Sequence, residues 1–314
     1  MRNKGLIILL LVGAALIQAA PLRIVSYNAE NFFHPAHDTV AGKEKNDWEW
    51  TPEGTQRWSF TRYNNKAENI ARVITNIGQW SGVDIIGLQE VENAQCLRKL
   101  SYLMRREKYG IVHHESPDPR GIDVALLYKK ERVDTLSTKA IRIQSEADST
   151  FKTRDILYVC AQIDKSTTWH LLVCHMPSQR GGKEASEWKR QAVRQALQHT
   201  IDSIQWTDPE ARIIVMGDMN STPTQDIQGL TNKMIPFHQK GKGTHKYQGQ
   251  WTCLDQFYTS PNIDSISSVS IYEAEWLMEA DEKNMGQKPK RTYVGYRYQN
   301  GFSDHLPIVM DIKY

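Results

Sequence analysis

Eight short runs rich in Ile, Val, Leu and Tyr recur along the chain, at residues 22–27, 84–88, 122–128, 156–163, 170–174, 212–216, 254–258 and 306–312. Turn residues bound them, which is the pattern of β-strands. Three stretches between them have helical spacing instead: 64–80, where Ala67, Ile70, Ala71, Ile74 and Ile77 share a stripe, 94–108, and 184–206, where Ala192, Leu197 and Ile201 do. Strands interrupted by helices predict an α+β or mixed layered fold, with helices covering packed sheets. No linker rich in Pro, Gly or Ser divides the chain, so residues 21–314 are expected to form one domain. Two runs echo each other: VDIIGLQE (83–90) and IIVMGDMN (213–220) are apolar strands that end in an acid beside an amide. A strand end delivers such a side chain to the edge of a sheet.

Residues 1–20 read as an address. Arg2 and Lys4 precede an apolar run from Leu6 to Ile17, followed by Gln18, Ala19 and Ala20. This is the layout of a secretory signal, too short to span a bilayer comfortably. The expectation is export to the periplasm or the medium, with no stable membrane insertion after cleavage. Overall charge is +3, from 39 basic and 36 acidic residues, and falls to +1 when Arg2 and Lys4 are removed. That balance excludes a polybasic, histone-like protein but not a local basic groove. Cys96, Cys160, Cys174 and Cys253 form no CxxC and no zinc spacing. Buried free thiols are the expectation, and a Cys160–Cys174 bridge across a hairpin is the alternative.

Several runs stop at residues able to do chemistry. Asn28 and Glu30 follow the first, Glu90 ends the second, and His175 ends the run HLLVCH. Asp218 and Asn220 follow Gly217, and Ser303, Asp304 and His305 precede the last run. Singly, each has a bland reading as a turn, a solvated acid or a satisfied polar group. The ordered set YNxE, LQEVEN, RGIDVALLY, CHMP, MGDMNSTP, LDQF and SDHLP is far more specific. Over residues 23–311 it resembles the endonuclease/exonuclease/phosphatase superfamily, which includes deoxyribonucleases, abasic-site endonucleases, sphingomyelinases and inositol-phosphate 5-phosphatases. RGIDVALLY and GFSDHLP resemble its exported bacterial members.

The resemblance implies a four-layer α/β/β/α sandwich, two packed mixed β-sheets flanked by helices. It also implies hydrolysis of a phosphate ester with Mg²⁺, for which Mn²⁺ can substitute. Carried across, Asn28, Glu90 and Asp304 match the metal-site residues. Asp218 matches the residue that positions or deprotonates the attacking water, and Asn220 a phosphate ligand. His305 matches the histidine on the scissile phosphate, Asp255 its carboxylate partner, and His175 a general acid that Glu115 would orient. Arg120 is a further phosphate contact. The chemistry is coherent. A hard cation with oxygen ligands offsets charge on phosphorus, His titrates near neutrality, and a carboxylate partner raises its pKa.

The shared core does not choose the substrate. Loops 34–63, 115–121, 178–183 and 231–251 do, and they bring Arg120, Arg180, Lys183, Lys240, Lys242, Lys246 and Arg291 as candidate phosphate contacts. The expected enzyme is a monomeric phosphodiesterase acting on nucleic acid as an endonuclease. The alternatives are a phosphomonoesterase or lipid- or inositol-type phosphoesterase acting on a small phosphate ester, for which Trp48 and Trp50 would suit a lipid surface, and a non-catalytic binding module.

Overall fold

The computed structural model describes residues 21–37, 47–179 and 181–313. The expected signal at 1–20, part of the first loop and Arg180 lie outside the described residues. Strands β1 (Leu22–Phe32), β2 (Ile85–Val91), β3 (Tyr109–His113) and β4 (Asp123–Lys129) belong to one six-stranded sheet. Its order is Ile266–Ile271, Ile308–Ile312, β1, β2, β4, β3. The second six-stranded sheet runs β5 (Val133–Ile141), β6 (Ile156–Ile163), β7 (Thr167–His175), β8 (Arg212–Asp218), then Asp255–Thr259 and Thr231–Asn232. Each sheet has one central parallel pair, β1 with β2 and β7 with β8, and its other neighbours are antiparallel.

Helix α1 (Phe60–Gly78) covers the first sheet with α2 (Ala94–Leu103), and α3 (Glu187–Thr207) covers the second. Polar caps mark two of their starts. Ser59 Oγ accepts from the Arg62 N–H, and Asn93 Oδ1 accepts from those of Gln95 and Cys96. Alternation along β8 builds the layers. Ile213 and Val215 join the core under α3 with Val193, Leu197 and Ile201, whereas Ile214 and Met216 face the other sheet. The sheets approach closely at Gly87, where an added Cβ would lie 2.7 Å from the Met216 sulfur. The expected layered sandwich is therefore present.

Boundaries differ at the helices. The first begins at Phe60, four residues before the expected start, because Ser59 caps it. The second ends at Leu103 and gives way to a short 3-10 turn at Arg105–Glu107. β3, β5 and Ile266–Ile271 were not expected. The last two carry many Thr, Ser and exposed positions, so they lack the apolar signal of central strands. The loop aromatics Trp50 and Trp58 are buried and pack with Phe33 and Tyr293, while Trp48 is exposed. All four cysteines are free. Cys160 lies opposite His170 in the β6–β7 ladder, four positions from Cys174, which rules out the hairpin bridge.

Candidate active site

The parallel pairs run the same way, so the C-terminal ends of four strands meet at one edge of the sandwich. Asn28 lies in β1 at its last regular pair with β2 before the register shifts, Glu90 sits near the end of β2, His175 ends β7 and Asp218 ends β8. Contacts cross between the sheets. Asn28 Nδ2 donates to Asp218 Oδ2 at 3.1 Å, and His175 Nε2 lies 3.6 Å from that oxygen and 3.8 Å from Glu90 Oε1. Asp255, at the start of the strand antiparallel to β8, and His305, before Ile308–Ile312, complete the cluster. His305 Nδ1 is 2.8 Å from Asp255 Oδ2, and its Nε2 is 3.8 Å from Asp218 Oδ2.

Backbone geometry at these ends is unusual. Glu30, Asn31, Glu90 and Asn220 all have positive φ, between 47° and 58°. Strained residues persist when surrounding structure over-determines them. Here the restraints are visible. Asn28 Oδ1 accepts from the Glu30 N–H at 2.9 Å, Glu90 Oε2 from the Asn31 N–H at 2.8 Å, and Asp218 Oδ1 from the Asn220 N–H at 2.9 Å. Asn220 Nδ2 then donates to the Met176 carbonyl. Gly217 is required just before Asp218, because its φ is +143° and a Cβ there would lie 1.9 Å from the Cys174 carbonyl oxygen.

Burial and neighbouring charge set the proton affinities. Burial pushes Asp218 up to about 7; Asp255 and Glu90 add to this, and His305 opposes it. Burial alone would lower His305, but Asp255 and Asp218 hold it well above the usual imidazole range. His175 goes the other way, driven well down by burial and by Arg154, Arg120 and His305. Asp304 is brought to about 2; burial opposes the shift, and Arg291, 2.9 Å away, with His305 drives it. The site thus pairs one cationic ring with one neutral ring around a carboxylate of high proton affinity.

Asn28, Glu90, His175, Asp218, Asn220, Asp255, Asp304 and His305 are brought to this edge, and Arg120 reaches its rim. The Arg120 guanidinium donates to Asn31 Oδ1 at 2.6 Å and lies 3.9 Å from Glu90. Glu115 departs from expectation. It does not hold His175, whose Nδ1 is buried without a hydrogen bond, and it gathers instead with His113 and Asp123. The fixing of His175 falls to Arg154, which donates to the His175 and Met176 carbonyls and pairs with Asp118 at 2.8 Å.

Three further residues contribute: His245 and Lys66, which the sequence does not single out, and Glu30, which it places beside Asn28 without a role. The His245 ring lies tilted by 40° against that of His305, with centroids 4.9 Å apart, and the two could share a cation with Asp304. Glu30 accepts from Arg291 at 3.2 Å and from the Thr292 N–H at 2.6 Å, which ties β1 to the segment before Asp304. Lys66 of α1 is buried 3.8 Å from Glu30. His245 lies in a loop singled out only for its charge and aromatics, and Lys66 sits at a helical position that only tertiary structure reveals as buried.

A family model described as Endonuclease/Exonuclease/phosphatase family matches residues 23–314. Among solved structures, a mannosyl-6-phosphatase of Bacteroides thetaiotaomicron is similar, with TM-score 0.59 and 15% identity over 93% of this chain and 100% of that one. Truncated Caenorhabditis elegans TDP2 gives 0.56 at 17% identity, over 94% and 98%. The human nocturnin catalytic domain, which holds a sulfate anion, gives 0.56 at 17%, over 94% and 95%. These identities establish likeness of fold. No curated protein matches the sequence.

Proposed function

This chain belongs to the endonuclease/exonuclease/phosphatase family, whose members are hydrolases of phosphoester bonds, and on that premise we propose that it is a divalent-metal-dependent phosphoesterase using direct attack by water. The observation that carries this reading is the buried Asp218 carboxylate, hydrogen-bonded to Asn28 and flanked by His175 and His305. With its proton affinity raised to about 7, Asp218 is suited to take a proton from water near neutral pH. Asn28 fixes the accepting oxygen. His305, kept cationic by Asp255, donates to a phosphate oxygen, and Asn220 offers its amide beside it. Burial and the nearby cations hold His175 well below the usual imidazole range, which favours a neutral ring that contributes a hydrogen bond there.

The donor set fits a hard cation. Glu90, Asn28 and Asp304 offer oxygen ligands of the kind Mg²⁺ or Mn²⁺ takes, and a cation would offset both the burial that chiefly raises Asp218 and the smaller repulsion from Asp255 and Glu90. When bound, the ion would polarise the phosphoryl group and offset its charge.

For the substrate, a compact phosphate ester is favoured over a nucleic-acid track. Of the candidate basic contacts, Arg120 and Arg291 reach the site, whereas Lys242 pairs with Glu273 at 2.6 Å and Lys246 with Asp281 at 3.0 Å. A polymer substrate needs several converging phosphate contacts. The test is a screen of sugar phosphates, inositol phosphates, sphingomyelin, a chromogenic phosphodiester, plasmid DNA and single-stranded RNA, with Mg²⁺, Mn²⁺ or EDTA. Turnover of small esters, lost in EDTA and in Asp218→Ala, supports the reading. Cleavage of plasmid or RNA with intact small esters would restore the nuclease expectation, and no hydrolysis with either metal would leave a binding module. Export is proposed from residues 1–20 alone; a full-length mass for protein recovered from the periplasm or medium would refute cleavage.

A further inference from the structure

We propose that Asp118 is a positioning residue whose buried carboxylate couples Arg120, the phosphate contact at the rim of the first sheet, to His175 on the second sheet, through Arg154. The proposal rests on the phosphoesterase reading above. Asp118 lies in the segment between β3 and β4 of the first sheet, and Arg154 stands two residues before β6 of the second. Both side chains are buried, and Arg154 Nη1 donates to Asp118 Oδ2 at 2.8 Å. The pair therefore crosses between the sheets at the catalytic edge.

Each oxygen of the carboxylate has its own task. Oδ1 accepts from the Arg120 N–H at 2.9 Å, and the Asp118 carbonyl accepts from the Gly121 N–H at 3.0 Å. These bonds close the turn from which the Arg120 guanidinium reaches Asn31 Oδ1. Oδ2 holds Arg154, whose other nitrogens donate within the second sheet, Nε to the His175 carbonyl at 3.3 Å and Nη2 to the Met176 carbonyl at 3.0 Å. Met176 relays the restraint. Its carbonyl also accepts from Asn220 Nδ2 at 2.8 Å, and its N–H donates to the Asp218 carbonyl at 2.9 Å. One carboxylate thus sets the backbone beneath Arg120 and His175 and, through Met176, reaches Asn220 and Asp218.

A second observation lies at His175 itself. Its Nδ1 is buried and makes no hydrogen bond among the described residues, and its Nε2 stands 3.6 Å from Asp218 and 3.8 Å from Glu90. With no partner on Nδ1, the direction of the ring depends on the backbone that Arg154 holds. Stability alone does not account for the pair. Desolvation cancels much of the attraction in a buried ion pair, so apolar packing would serve the fold as well. What Arg154 supplies is a planar fork that fixes its acceptors relative to one another. A misplacement of about 1 Å near reacting atoms costs about 10²-fold in rate.

The test is steady-state hydrolysis of p-nitrophenyl phosphate and bis(p-nitrophenyl) phosphate, with Mg²⁺ or Mn²⁺. The proteins are wild type, Asp118→Ala, Arg154→Lys, Arg120→Gln and the Asp118→Ala/Arg120→Gln double variant. Arg120→Gln should raise KM about tenfold. Asp118→Ala should raise KM by a similar factor and lower kcat about 10²-fold, and should add no further rise in KM to Arg120→Gln. Arg154→Lys keeps the charge but loses the fork, so it should lower kcat at unchanged KM. KM effects of Asp118→Ala and Arg120→Gln that multiply would overturn the proposal, as would an Arg154→Lys protein with wild-type kcat. The imidazole ¹H–¹⁵N signals of His175, recorded in EDTA, give a readout that needs no turnover. They should move in Asp118→Ala and Arg154→Lys while those of His170, held by Tyr158, stay in place. Unmoved His175 signals would also overturn the coupling. Should Asp118→Ala fail to fold, Asp118→Asn takes its place, because its amide turns an N–H toward one of the two donors. A wild type inactive on every phosphate ester would refute the phosphoesterase reading, and the imidazole signals would still decide the coupling.

Discussion

Lys66 offers the sharpest quantitative check on the buried charge network. Its ammonium is fully buried and donates to Thr292 Oγ1 at 2.6 Å and to the Phe302 carbonyl at 2.5 Å. Glu30 favours the charge, but burial dominates and brings the pKa from 10.5 down to about 8. At about 1.4 kcal/mol per unit, that gap corresponds to about 3 kcal/mol. Between pH 8 and 10.5 the unfolded chain keeps this proton and the folded chain has lost it. Stability therefore rises with pH through that window, and the contribution fades as pH falls through 8. Urea unfolding of wild type and Lys66→Met, in EDTA, at pH 7 and about pH 10.5 isolates the effect, because other lysines and tyrosines titrate equally in both proteins. Wild type should gain about 3 kcal/mol relative to the variant over that range. A difference that stays constant with pH would refute the reasoning, and would mean that Lys66 is hydrated or that Glu30 compensates it fully.

Asp255→Asn keeps the shape beside His305 but removes the charge, so turnover should fall by about 10²- to 10⁴-fold; an unchanged kcat, or an imidazole ¹⁵N titration of His305 unmoved by the substitution, would remove the pair from the chemistry. Gly217→Ala should destabilise the fold by about 3 kcal/mol or more, since it adds a clash to a disfavoured φ; an unshifted urea midpoint would contradict the turn described before Asp218. Thiol titration should find all four cysteines reactive after unfolding without reductant, and at most Cys160 accessible in the native protein; a shortfall after unfolding would reveal a disulfide.

The central strands were legible because both of their faces are buried, so runs such as IIVMGD in β8 are almost continuously apolar. Edge strands were not, because β5 presents Thr, Ser and Lys to solvent and its pairing with β6 supplies the order that its composition does not. The site divides in the same way. Residues at strand ends stood out, since a polar residue closing an apolar run is visible in one dimension. Lys66, Arg154 and His245 act through partners 226, 21 and 59 to 60 positions away, and no local pattern encodes that pairing. Glu115 shows the converse error. Its place in the motif order suggested support for His175, but the turn after β3 carries it toward Asp123.

The scatter of the site over the chain follows from the topology. In a parallel pair both strands finish at the same edge, so two such pairs deliver Asn28, Glu90, His175 and Asp218 to one place from four separate stretches of sequence. Antiparallel neighbours begin where those strands end, which is why Asp255 and His305 lie at the starts of their segments rather than at the ends. Side chains alternate faces along a strand, so a shift of one residue would carry Asn28 or Asp218 out of the space between the sheets. The positive φ values at Glu30, Glu90 and Asn220 mark where that alternation is broken to turn side chains or chain direction at the edge. Glutamate gains nothing in general from such a conformation, which costs about 1–3 kcal/mol per residue. Its presence at two positions, each carboxylate accepting from a backbone N–H of another segment, is more simply explained by what the carboxylates do than by how the chain folds.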